Sequence, residues 1–210
     1  MTSSQRQAGP ITWAHQSYIH SRRIKVLAAH LADLLVDRAK VLDVGCGDGL
    51  LAAAIGQLRP DLTLRGIDVL VRENTAIDVA SFDGRQIPFE SNSFDAVMLV
   101  DVLHHTLEPR SLLAEAARVA SRQIVLKDHY LRGIAAGPTL AFMDKVGNER
   151  HGVEIPRNYL TPSQWQELYR ATEVRQIECR EKLGLYPPPI DWIFGRGLHF
   201  VASFEPEGRQ

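Results

Sequence analysis

The chain has 210 residues, of which 45% are hydrophobic and 23% charged, the profile of one ordinary globular domain with a sizeable core. Lys and Arg total 24 against 25 Asp and Glu, a net charge of −1, which argues against a surface built to hold a phosphate backbone. No window approaches the uninterrupted apolar length of a membrane span. The first residues carry no apolar signal segment, so a cytoplasmic protein is the expectation. Neither Cys46 nor Cys179 lies in a Cys-x-x-Cys or Cys/His ligand spacing, so a structural zinc site is not expected.

In chain order, residues 1–17 read as a polar, flexible lead. A helical face then begins near Tyr18, with Ile24, Leu27, Ala28, Leu31, Leu34 and Leu35 at three- and four-residue spacing. A first strand, Val41–Val44, runs into Gly45-Cys-Gly-Asp-Gly49 and a helix over Leu50–Leu58. A second strand, Leu62–Asp68, is separated from a third, Ala76–Ser81, by only seven residues. That gap is too short for an ordinary helical crossover, so the helix there is short or missing and 69–75 is a loop. Phe94–Val100 reads as a buried fourth strand, Ser111–Ala120 as a helix and Gln123–Lys127 as a fifth strand. The stretch 129–160 is glycine-punctuated, with one helix at about Thr139–Val146, and reads as a substrate lid carrying Arg150 and His151. Thr161-Pro-Ser-Gln164 is a helix start with a reciprocal cap. Two final strands, Val174–Glu181 and Leu198–Phe204, have no helical pattern between them and are expected to pair antiparallel. The whole chain reads as a single domain whose alternating elements give a mostly parallel sheet.

Glycines at 45, 47 and 49 leave no Cβ between the backbone and a ligand, and the following helix turns its free N–H groups toward the same place. Asp68 ends the second strand, where a carboxylate can accept hydrogen bonds from a ribose diol.

With those residues in view, Val41-Leu-Asp-Val-Gly-Cys-Gly-Asp-Gly49 resembles the first motif of class I S-adenosylmethionine-dependent methyltransferases. Gly66-Ile-Asp68 resembles the acidic motif that follows, and Asp83-Gly-Arg-Gln-Ile-Pro-Phe89 the adenine-side loop. Ser93 to His105 is similar to the fourth-strand segment of the type 11 branch. The resemblance implies a doubly wound, Rossmann-like sheet of seven strands, order 3-2-1-4-5-7-6 with strand 7 antiparallel. It implies S-adenosyl-L-methionine as cofactor. Gly45, Cys46 and Gly47 would approach its methionine part, Asp43 would hold the turn or the amino group, and Asp68, with Val69 beside it, the ribose. Asp83 and Gly84 would face adenine, Val100 and Asp101 would lie beneath the cofactor, and His104 would pack against it. By their place at the front of the first helix, rather than by the resemblance, Tyr18 and Arg22 either close over it or lie on an exposed helix face.

Methyl transfer needs in-line positioning and exclusion of water, with a base for some acceptors. His105 and His129, beyond the fourth and fifth strands, are the candidate bases. They tilt the reading toward an oxygen acceptor on a small, partly apolar molecule. Asp101 with His104 and His105 has metal-binding chemistry but no obvious fourth ligand, so no metal is expected. The apolar stretch 183–197 is either an acceptor wall or oligomer contact, or it packs Trp192 and Phe194 under the last strands. Oligomeric state is open. Two other functions compete: an NAD(P)-dependent oxidoreductase, disfavoured because Leu50 breaks the Gly-x-Gly-x-x-Gly pattern, and a non-catalytic cofactor-binding protein.

Overall fold

The computed structural model describes residues 10–148 and 156–207, the side chains of 10–20 and 147–148 excepted. Seven strands form one sheet in the order β3-β2-β1-β4-β5-β7-β6. They are β1 (Lys40–Val44), β2 (Thr63–Asp68), β3 (Val79–Ser81), β4 (Phe94–Val100), β5 (Ala120–His129), β6 (Val174–Arg180) and β7 (His199–Pro206). β1 to β5 are parallel, and β7 runs antiparallel between β5 and β6.

Central strands buried on both faces need apolar residues at successive positions. In β1, Val41, Leu42 and Val44 are all fully buried, as are Ala96 to Leu99 in β4. One face packs against α1 (Pro10–Leu34) and α2 (Leu50–Leu58), through Leu27, Leu31 and Ile55. The other packs against α3 (Pro109–Val119) and α5 (Pro162–Ala171), through Leu112, Leu113 and Trp165. At α5 the reciprocal cap is present: the Gln164 amide donates to Thr161 Oγ1 at 3.3 Å, and the Thr161 amide donates to Gln164 Oε1 at 2.8 Å.

The sequence reading is corrected at several boundaries. α1 starts at Pro10 rather than near Tyr18, since a proline is tolerated in the first turn of a helix and nothing between it and Tyr18 breaks one. β3 keeps three residues, since no helix returns the chain from β2 and the connection runs as irregular loop. β5 extends to His129 because Asp128 and His129 pair with Phe200 and His199 of β7, a partner remote in sequence. The lid stretch holds α4 (Ala136–Asn148), while Arg150 and His151 lie outside the described residues. In 183–197, the short helix α6 (Asp191–Phe194) leaves Trp192 75% exposed, so Trp192 does not pack beneath the last strands. Phe194 instead meets Tyr186 and Phe142, with ring centroids 6.0 Å apart in each pair.

Candidate active site

The turn after β1 is built by close approach. Gly45 has φ +72°, and a Cβ there would stand 2.6 Å from Val102 Cγ2, inside contact distance. Cys46 turns its thiol away, onto Gly66 of β2, where an added Cβ would meet Sγ at 2.4 Å. Burial, then the Asp43 and Asp68 carboxyls, push that thiol up to about 12, so it stays protonated. Asp68 ties the turn to the end of β2. Its carboxylate accepts from the Gly47 amide at 2.8 Å and from the Leu70 amide at 2.9 Å. One lone pair on each oxygen remains for a ligand hydroxyl.

A cavity of about 450 Å³ opens against this turn at the carboxyl end of the parallel strands, the place where open α/β sheets bind ligands. The turn contributes Gly45 and Gly47, the end of β2 Asp68 and Val69, the loop after β3 Asp83 and Gly84, and the end of β4 Asp101 and His105. Asp83 shapes its own loop by accepting from the Arg85 and Gln86 amides, both at 2.8 Å. These backbone bonds, Gln86 first, hold its carboxyl below the usual carboxylate range.

Five anticipated residues stand off the cavity wall: Asp43, Cys46, Val100, His104 and His129. Tyr18 lies in α1, and its side chain is outside the described residues. Asp43 is buried within β1 and is pushed up to about 8, by burial first and by Asp68 second. Sequence reasoning missed Val102, Phe82, Leu107 and Pro156 as wall residues. Val102 lay inside a quoted motif, but its role appears only when its methyl groups meet Gly45.

Beside the cavity, the ends of β4 and β5 carry a dense polar cluster. Asp101 adopts φ +59°, a left-handed conformation that Asp tolerates better than most residues. Its carboxylate meets the Lys127 ammonium and the Arg23 guanidinium. Burial opposes its ionisation, but Lys127 and then Arg23 hold it well below the usual range. Lys127 itself has no exposed surface. His104 Nδ1 donates to Asp128 Oδ1 at 2.7 Å. Burial disfavours a charge on His104, yet Asp128, helped by Asp144 and Asp101, brings it up to about 10. His129 goes the other way, down to about 4, through burial and then the neighbouring Lys127 charge. Burial, followed by the His104 charge, also lowers His105. At neutral pH His104 therefore holds its proton, and the two anticipated bases are neutral. Of those two, only His105 touches the cavity.

Comparison with known proteins agrees with this geometry. Residues 42–123 match the family model of a methyltransferase domain. A ubiquinone biosynthesis O-methyltransferase from Idiomarina loihiensis is 26% identical over 172 residues, covering 72% of this chain and 66% of its own. The chain spans about half to two thirds of the length of the first curated relatives it matches. A Pyrococcus horikoshii protein of solved structure aligns with TM-score 0.67 and 18% identity, over 90% of this chain and 91% of that one. The magnesium protoporphyrin IX methyltransferase of Synechocystis, solved with bound S-adenosylhomocysteine, aligns with TM-score 0.55 and 15% identity over 97% and 90%. These two likenesses define the fold.

Proposed function

We propose that the chain binds S-adenosylmethionine in the cavity beside the glycine turn and transfers its methyl group to an oxygen of a small, partly apolar acceptor. The single observation carrying this is the convergence of Gly45, Gly47, Asp68, Asp83 and Gly84 on one cavity, in a chain whose residues 42–123 match a methyltransferase domain. The donor set suits the cofactor. A carboxylate with free lone pairs at Asp68 fits a ribose diol, and a Cβ-free wall at Gly45 and Gly47 admits the methionine part. Asp83 and Gly84 would line the adenine side. When bound, S-adenosylmethionine supplies an activated methyl group on a cationic sulfur. What the chain contributes is position and exclusion of water, with His105 at the cavity wall facing the acceptor. Relatives named as ubiquinone biosynthesis O-methyltransferases support an oxygen acceptor on a small, partly apolar molecule.

Calorimetric titration with S-adenosylhomocysteine tests the cofactor assignment. Asp68→Ala removes charge-assisted hydrogen bonds and is expected to weaken binding by roughly 10- to 100-fold. Unchanged affinity would remove Asp68 from the ribose site. Tight NADH binding without S-adenosylhomocysteine binding would replace the proposal with a dinucleotide enzyme. Labelled methyl donor incubated with cell extract then identifies the acceptor by what becomes labelled.

A further inference from the structure

We infer that His104, His105 and Asp144 form a binding site for one divalent transition-metal cation of the zinc or ferrous type, at the edge of the cofactor cavity. One potential ligand atom from each of the three lies within 4.8 Å of the others. The His104 ring is 1% exposed, and its Nε2 has no hydrogen-bond partner. That nitrogen stands 3.6 Å from Asp144 Oδ1, too far for a good hydrogen bond but close to the roughly 3.4 Å separating two ligands of a tetrahedral ion with bonds of about 2.1 Å.

The surroundings of the triad also suit a metal. A ligating histidine usually donates its other N–H to a carboxylate or a carbonyl, which fixes the tautomer and the ring orientation. His104 Nδ1 does so to Asp128 at 2.7 Å, and His105 Nδ1 lies 3.4 Å from the Pro156 carbonyl oxygen. The free face of His104 is thus turned toward Asp144, whose second oxygen accepts from the Tyr159 hydroxyl. Two carboxylates, Asp128 and Asp144, flank His104 and would neutralise a dication, whose binding releases to solvent the second ring proton that they hold on His104 in the metal-free protein. Imidazole and carboxylate ligands together select zinc- or iron-type ions, and three protein ligands leave a coordination position open.

A second grouping, Asp101, His104 and His129, is equally compact but worse placed. Asp101 is engaged by Lys127 and Arg23, and His129 Nε2 is 3.4 Å from Lys127 Nζ, so a dication there would face two cations.

Because His105 belongs both to the triad and to the cavity wall, an ion held here would stand within reach of an acceptor hydroxyl. It would lower that hydroxyl's pKa, its proton leaving to solvent. This role rests on the methyl-transfer reading, whereas metal binding does not.

The test uses the full chain, free of tag histidines, stripped with chelator and titrated with Co2+ in the absence of S-adenosylmethionine, followed by its visible d–d absorption. One saturable equivalent, displaced by Zn2+, is expected. Asp144→Asn and His104→Gln should each weaken binding at least 100-fold, and Asp128→Asn by about 10- to 100-fold through loss of ring orientation. Asp101→Asn should leave binding within threefold. Near-UV circular dichroism confirms the fold of each variant. Metal-induced shifts of the His104 and His105 ring signals in the wild type provide a readout that needs no variant. Absence of saturable binding, retention in Asp144→Asn, or loss in Asp101→Asn would overturn the site. Titration with S-adenosylhomocysteine on the same samples separates that failure from failure of the cofactor reading.

Discussion

Asp43 offers a quantitative check on the electrostatics beneath the glycine turn. It is 3% exposed, and burial together with Asp68 raises it to about 8. A carboxyl whose folded-state pKa exceeds its unfolded value binds more protons in the native state, so stability falls as pH rises through the window between the two. Here the window runs from about 4 to about 8, with a slope of about 1.4 kcal/mol per pH unit from this group. At pH 7 the cost of keeping the proton is therefore roughly 4 kcal/mol. Asp43→Asn removes that cost while adding a buried amide that needs partners, worth about 1–3 kcal/mol against it. The variant should gain about 1–3 kcal/mol at pH 7 and lose the advantage near pH 4. Urea melts at pH 5, 7 and 8.5 read this directly. A wild-type stability flat across that range, with a destabilised Asn variant at every pH, would show Asp43 to be ionised in the folded protein and refute the reasoning.

Two further predictions concern packing and capping. Gly45→Ala places a methyl group 2.6 Å from Val102 Cγ2 in a left-handed backbone, so S-adenosylhomocysteine binding should fall at least about tenfold. Gly45→Ala with Val102→Ala should recover part of it, and no recovery in calorimetry would assign the loss to backbone strain alone. Thr161→Ala removes the hydroxyl that accepts from the Gln164 amide and should cost about 1 kcal/mol, read as a lowered Tm. An unchanged Tm would mean that the cap at α5 contributes nothing measurable.

The sheet was legible in the sequence because parallel central strands must be apolar on both faces. Val41–Val44 and Phe94–Val100 announce themselves, and so do the turn residues between strands and helices. The missing crossover between β2 and β3 followed from chain length alone. The ends of β5 and α1 were not legible. Asp128 and His129 are strand residues only because β7 pairs with them, and α1 runs back to Pro10. The cavity wall divided in the same way. Gly45, Gly47, Asp68, Asp83 and Gly84 sit in local turns whose chemistry is contained in a few consecutive residues, and all five reach the cavity. Cys46 does not, because its direction depends on the space left by Gly66.

The near-neutral composition that first spoke against a nucleic-acid surface conceals where the charges go. By itself the sequence determined a methyltransferase-type sheet and the glycine turn that faces the cavity, since both depend on local periodicity and backbone freedom. It also offered Asp101, His104 and His105 as a cluster without a completing ligand. Only the tertiary structure decided which acid belongs to the histidines. It commits Asp101 to Lys127 and Arg23, and it brings Asp144 of α4 to His104 across 40 positions of sequence. Charges remote in the chain are matched by the fold, because a buried ion must find its partner wherever packing puts it.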